Sequence, residues 1–400
     1  MEMADQLHKL GTRASESILP PATAEAAAHT RKVAEYIADV IADEDDWIPF
    51  SRYMELALYA MGLGYYTAGA RKFGAEGDFV TAPEISPMFG KCLALQARQV
   101  LRHTGGHILE LGPGSGALAV ELFGELKSQG AAPAKYLMLE ISPDLRDRQR
   151  RKIAERFPQD YERFVWLDHL PEKIRGVVIA NEVLDVVPFC LVHREERGEI
   201  LERGVVVTEA GFAWDDQPMP EGDLKRRATA VIPRGDYSYL TEVNLAAEGL
   251  VRTIASKLDV GVAFFIDYGF PEREFYHSQR SMGTLRCHYR HRFHGDPFFM
   301  PGLQDITAHV DFTAMARAAN SAGAEILGFT TQAHFLISCG LAVLLSAVDP
   351  AATLSRLKTT SAVNRLVSPA EMGELFKVLA VGKGFADPLL GFQSARPLSL

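Results

Sequence analysis

Residues 107–118 read HILELGPGSGAL. The apolar run HILEL breaks into glycine at alternate positions, Gly112, Gly114 and Gly116, and an apolar stretch of helical spacing follows over 115–126. Strand, glycine turn, helix is the order in which an open α/β sheet builds a ligand site outside the carboxyl ends of its strands. Glycine there lets the backbone turn sharply and approach a ligand with no Cβ in the way.

The same alternation continues downstream. KYLMLEIS (135–142), FVWLD (164–168) and GVVIANEV (176–183) are short apolar runs, with a charged helix predicted over 143–157. Strands separated by helices indicate βαβ units and a parallel sheet. GVAFFIDYG (261–269) reads as a buried strand, AEILGFTT (324–331) as the last strand of the series, and LFKVLAVG (375–382) as a closing strand. Upstream, helices are expected over 22–43, from Phe50 to Met61 and over 88–103, with a glycine- and aromatic-rich loop at 62–90. An antiparallel insertion is expected at about 188–235 and a long helix at 238–258. A loop rich in His and Arg follows at about 271–310, then a helix at 312–322 and a helical tail from Phe335.

Composition narrows the class. The chain has 400 residues, 47% hydrophobic and 23% charged, values that exclude a disordered, collagen-like or coiled-coil protein overall. Lys+Arg 42 against Asp+Glu 51 leaves a net charge of −9, which argues against a nucleic-acid-coating protein. Cys92, Cys190, Cys287 and Cys339 are far apart, form no CxxC pair, and fit a reducing compartment. The N-terminus has no apolar core of signal-peptide type. The apolar stretch FLISCGLAVLLSAV (335–348) is shorter than the roughly 20 residues of a membrane span. A bacterial cytoplasmic location is expected, or a mitochondrial matrix if a presequence is missing from this chain.

The acids identify the ligand. Glu110 precedes the GxGxG turn, Glu140 ends the next run and Asp168 the third. An acid at the turn is a poor neighbour for a pyrophosphate and suits a cationic ligand such as S-adenosyl-L-methionine. Glu140 then accepts from the ribose hydroxyls, and Asp168 from the adenine amino group. Taken singly, each acid is also an ordinary strand end or helix cap. Methyl transfer from a sulfonium needs alignment and a nearby proton acceptor, and no metal. ANEVLDVVP (180–188) supplies the polar cluster for the acceptor side: Asn181, Glu182 and Asp185. Paired carboxylates suit the planar fork of a guanidinium, while Asp185 also reads as an N-cap. Asp267 and Tyr268 of FIDYG lie at another strand end facing the cleft, and Asp267 joins Asn181, Glu182 and Asp185 on the acceptor side.

Five blocks together resemble the MidA family of class I methyltransferases, which includes a mitochondrial complex I assembly factor. They are GDFVTAPEISPMFG (77–90), LELGPGSGAL (109–118), ANEVLDVVP, FFIDYG (264–269), and the series TLR (284–286), PG (301–302) and VDF (310–312). The resemblance extends over about residues 50 to 385. It implies a Rossmann-like, seven-stranded, mostly parallel sheet with an N-terminal helical cap and insertions. The expected division is an N-terminal region with a cofactor-covering loop at 1–104 and a methyltransferase domain at 105–400. It also implies a protein arginine methyltransferase whose partner is a protein, in the family a respiratory-complex subunit. Methylation of RNA or a small molecule, and a non-catalytic assembly chaperone holding the cofactor as a structural plug, are the alternatives.

By the same resemblance, Thr81, Pro83, Glu84 and Ser86 fold over the cofactor, with Asn181 also beside it. Phe79 and Tyr65 or Tyr66 are suited to cover the sulfonium by cation–π contact. Thr81 and Ser86 equally suit helix capping. The basic segment TLRCHYRHRFH (284–294) reads as a lid docking an acidic protein surface, or as a solvated loop.

Overall fold

The structure, a computed structural model, describes residues 19–20, 22–69, 80–347, 353–393 and 400. The chain divides into two compact units, each assembled from three stretches of sequence.

The larger unit (81–187, 245–277, 309–400) holds the sheet. Its strands are β1 (His107–Leu111), β2 (Tyr136–Leu139), β3 (Phe164–Leu167), β4 (Ile174–Asn181), β5 (Leu258–Phe270), β6 (Glu325–Thr331) and β7 (Phe376–Lys383). They lie in the order β3-β2-β1-β4-β5-β7-β6, with Val310–Asp311 pairing the end of β5. β1 to β5 are mutually parallel, and β7 runs antiparallel between β5 and β6. Successive residues of a strand face opposite sides, and the core shows it. Ile108, Val177 and Phe264 belong to one apolar cluster, while Leu109, Val178 and Phe265 belong to another. A strand buried on both faces is apolar throughout, which is why GVVIA and FFI carry no polar alternation.

The helix Pro87–Thr104 belongs to this unit. Its Phe89, Cys92, Leu93 and Val100 are buried in the first cluster beside Leu118 and Leu122 of the helix Ala117–Ser128. The compact units divide near residue 80, and the helix lies with the sheet because its apolar face needs the sheet to cover it.

The smaller unit (1–80, 188–244, 278–308) is antiparallel. Ile200–Thr208 pairs with Cys190–Arg194, Gly211–Pro218 and Ile48–Pro49, and Tyr239–Val243 joins the edge of Cys190–Arg194. Helices Ala24–Asp43 and Phe50–Tyr59 contribute Val33, Ile37, Ile41, Phe50 and Tyr53 to its core. Three expectations change here. The helix expected from 238 begins at Leu245, because YLTEV pairs as a strand first. Asp223–Val231 is a helix inside the strand-rich insertion. The basic segment is a hairpin, Arg286–Tyr289 against Arg292–His294, with Asp305–Thr307 on its other side. Arg290 and His291 both take positive φ, 47° and 60°, at the tip. That backbone matches the twist of a two-residue hairpin turn, although neither residue announces one.

Candidate active site

The turn after β1 is built from left-handed glycines: φ is 57° at Gly112, 54° at Gly114 and 74° at Gly116. Side chains with a Cβ rarely adopt these values. Gly112 N donates to Leu139 O of β2 at 3.0 Å, and Gly116 N to Pro113 O at 2.8 Å. A Cβ on Gly112 would sit 3.3 Å from Val183 Cγ2, so the turn packs against the segment leaving β4.

Glu110 is buried in β1, and its carboxylate accepts from the Tyr136 hydroxyl at 2.6 Å. Burial pushes its pKa up to about 7; the Tyr136 bond opposes this and Glu140 adds to it. Glu140, just past β2, is also buried. Its Oε1 accepts from Ser142 N at 2.9 Å and its Oε2 from Gln149 Nε2 at 3.1 Å. Asp168, after β3, is exposed and pairs with Arg146 at 2.7 Å, which holds it below the usual carboxylate range. Arg146 also donates to Glu140 O at 2.6 Å and Leu167 O at 2.8 Å, tying the tips of β2 and β3 together. All three acids thus stand at the carboxyl ends of successive strands. The close backbone and the buried acids suit a ligand that is cationic at one end and carries hydroxyls.

The acceptor-side residues cluster beyond β4. Glu182 has φ 53°, unusual for a residue with a side chain. Its N donates to Ile266 O of β5 at 2.9 Å, and its Oε1 accepts from Asn181 Nδ2 at 3.1 Å and Ala82 N at 3.3 Å. Thus Ala82–Ile85, the short helix carrying Pro83 and Glu84 after Thr81, sits against Glu182. Asp267 Oδ2 accepts from three consecutive amides, Val183 (3.2 Å), Leu184 (2.9 Å) and Asp185 (3.3 Å), and its Oδ1 from Tyr268 N (3.0 Å). The Tyr268 hydroxyl donates to Asp185 Oδ2. Asp267, expected among the acceptor-side groups, therefore spends its carboxylate on holding the turn that bears Glu182 and Asp185. Burial, then Asp185, pushes Glu182 up to about 8. Burial lifts Asp185 to about 6 against the Tyr268 bond. Burial, then Asp185 and Glu182, raises Asp267 against its backbone donors. Three acceptor oxygens of this cluster, Asn181 Oδ1, Asp185 Oδ1 and Glu84 Oε2, are buried with no hydrogen-bond partner.

Ser86 caps the helix Pro87–Thr104 by accepting from Met88 N at 3.3 Å, whereas Thr81 makes no side-chain cap. Phe79 lies outside the described residues. Tyr65 is buried in the smaller unit, and the Tyr66 hydroxyl there donates to Asp305 at 2.9 Å. The sequence reading missed Tyr136, Arg146, Gln149 and Trp166. A signal for Gln149 existed: it lies at i±4 between Leu145 and Ile153, on the buried face of an otherwise charged helix.

The smaller unit also holds a Ser238–His193–Asp216 chain, with Oγ···Nε2 2.8 Å and Nδ1···Oδ2 2.7 Å. Arg203 clamps Asp216 with two bonds and stands 3.3 Å from His193 Nδ1. With the Asp216 carboxylate bonded to Arg203 as well as to His193, the chain works as a tie between strands. Among the described residues no group of three His, Cys, Asp or Glu is placed to hold a metal ion. No helix among them is long and apolar enough to cross a membrane.

Residues 92–330 match the family of S-adenosyl-L-methionine-dependent methyltransferases. The chain belongs to this family, the MidA-like class I methyltransferases, and is an S-adenosyl-L-methionine-dependent enzyme. It is similar to protein arginine methyltransferase NDUFAF7 of Danio rerio, 29% identical over 84% of this chain and 83% of the relative. The Drosophila melanogaster homologue is also 29% identical, over 86% and 85%; both relatives are named as mitochondrial. A Burkholderia thailandensis structure described as a COG1565 superfamily member bound to S-adenosyl-homocysteine superposes with TM-score 0.90. It is 45% identical and covers 94% of this chain and 98% of its own. A native crystal structure from the same organism gives TM-score 0.88 at 44% identity.

Proposed function

We propose that this enzyme methylates a guanidino nitrogen of arginine in a partner protein. The observation that carries the reading is a cluster rich in acceptors around the end of β4: the carboxyls of Glu182 and Asp185, with the buried, unpartnered oxygens Asn181 Oδ1, Asp185 Oδ1 and Glu84 Oε2. Unsatisfied buried acceptors cost free energy until a donor arrives. A guanidinium brings five N–H donors and no acceptor. The names of the NDUFAF7 relatives agree with this substrate.

S-adenosyl-L-methionine, when bound, supplies a methyl group on a positively charged sulfur. We assign Glu110 and the Gly112–Gly114–Gly116 turn to its amino-acid end, Glu140 to the ribose and Asp168 to the adenine. Thr81 and Pro83 are assigned to its cover. Asn181, Glu182 and Asp185 orient the arginine, and Asp267 and Tyr268 hold those groups in place. Asp185 lies lower than Glu182, because the Tyr268 bond opposes the upward push of burial, and it takes up the proton that the methylated nitrogen sheds. An entering cation also pulls the Glu182 pKa down, because opposite charge favours the ionised form. The four free cysteines accord with a reducing compartment.

The test is labelled methyl donor supplied to purified enzyme with a cell extract lacking it. Label recovered as methylarginine in protein, and lost with Glu182→Gln, is the expected result. Label in RNA or in a small molecule instead would refute the arginine reading.

A further inference from the structure

Gln149 lies on the helix Pro143–Arg156, with no exposed surface. Its Nε2 donates to Gly114 O at 2.7 Å and to Glu140 Oε2 at 3.1 Å, and its Oε1 accepts from Trp166 Nε1 at 2.8 Å. The amide orientation follows from the partners: a carbonyl and a carboxylate only accept, and an indole N–H only donates. The partners come from the turn after β1, the end of β2, and β3. A Cβ on Gly116 would stand 3.3 Å from Gln149 Cγ, so the same side chain also packs under the glycine turn.

We infer that Gln149 is the positioning residue for ribose recognition. It fixes the Glu140 carboxylate relative to the glycine turn before the cofactor arrives. The Ser142 amide holds one carboxylate oxygen at 2.9 Å and Gln149 the other, so the acid is set in one orientation. Preorganised acceptors bind without a further ordering cost. This rests on the assignment of Glu140 to the ribose.

The test compares S-adenosylhomocysteine with its 2′-deoxy analogue by calorimetry, on wild type and on Gln149→Met, which keeps length and loses all three bonds. Wild type is expected to bind the deoxy analogue about tenfold more weakly, the usual consequence of one unmade buried hydrogen bond. Gln149→Met is expected to bind S-adenosylhomocysteine about tenfold more weakly and to discriminate the two ligands by less than about threefold. A folded Gln149→Met that discriminates as wild type does would overturn the inference and leave the ribose assignment standing. Equal affinity of wild type for both ligands would overturn the ribose assignment and the inference with it. A merely structural role would weaken both ligands equally, which also overturns it. Should Gln149→Met fail to fold, Trp166→Phe removes only the indole donor. It is then expected to reduce discrimination by about two- to threefold, and unchanged discrimination would count against the inference.

Discussion

Asp267 offers the sharpest test of how the acceptor side is held. Its Oδ2 receives the amides of Val183, Leu184 and Asp185, residues about 80 positions away in sequence. Asp267→Ala strands these N–H groups in a buried site. Each costs about 1–3 kcal/mol when unsatisfied. Removing a buried carboxyl that sits among Asp185 and Glu182, a crowding that raises its pKa, offsets part of that cost. A net loss of about 3 kcal/mol is expected, or roughly 6–12 °C in melting temperature for a unit of this size. Asp267→Asn keeps a carbonyl acceptor at the same place and removes the same carboxyl, so its melting temperature should stay within about 3 °C of wild type. Thermal unfolding by circular dichroism reads both. Methyl transfer below the transition should fall for the alanine variant by more than cofactor binding does, because Asp267 bonds the acceptor-side turn directly while the glycine turn only packs against it. If alanine and asparagine shift the melting temperature equally, or alanine does not shift it, Asp267 is not the clamp described.

Other consequences can be measured in parallel. Glu182 has a folded-state pKa raised to about 8. The stability it contributes is therefore full below its unfolded value near 4.5 and is lost as pH rises through 8. Glu182→Gln should accordingly melt higher than wild type at pH 8–9 and close to it at pH 5, while losing transfer; a variant less stable than wild type at pH 9 would contradict this. Tyr268→Phe removes a bond that lowers the Asp185 pKa. The acid limb of its pH–activity profile should then move to higher pH, and an unmoved limb would show that Asp185 does not govern it. Gly114→Val forces a β-branched residue into φ 54° at the turn. It should abolish S-adenosylhomocysteine binding in calorimetry, and unchanged binding in a folded variant would remove the turn from the site.

The strand series and the glycine turn after β1 are legible in the residues alone. Apolar runs such as GVVIA and FFI are period signals, legible within a few residues, and the glycines of ELGPGSG mark a turn through their own backbone freedom. The acids at the ends of β1, β2 and β3 were legible for the same reason: each follows its own run. Tertiary structure decided what those local signals do not contain. YLTEV is a strand because Cys190–Arg194 pairs with it, and β7 finds its slot between β5 and β6 only in the assembled sheet. Asp267 clamps amides far from it in sequence, and Gln149 joins β1, β2 and β3 from a helix. Hydrogen bonds and burial between distant residues depend on the folded chain bringing them within about 3 Å, and no local period encodes that approach.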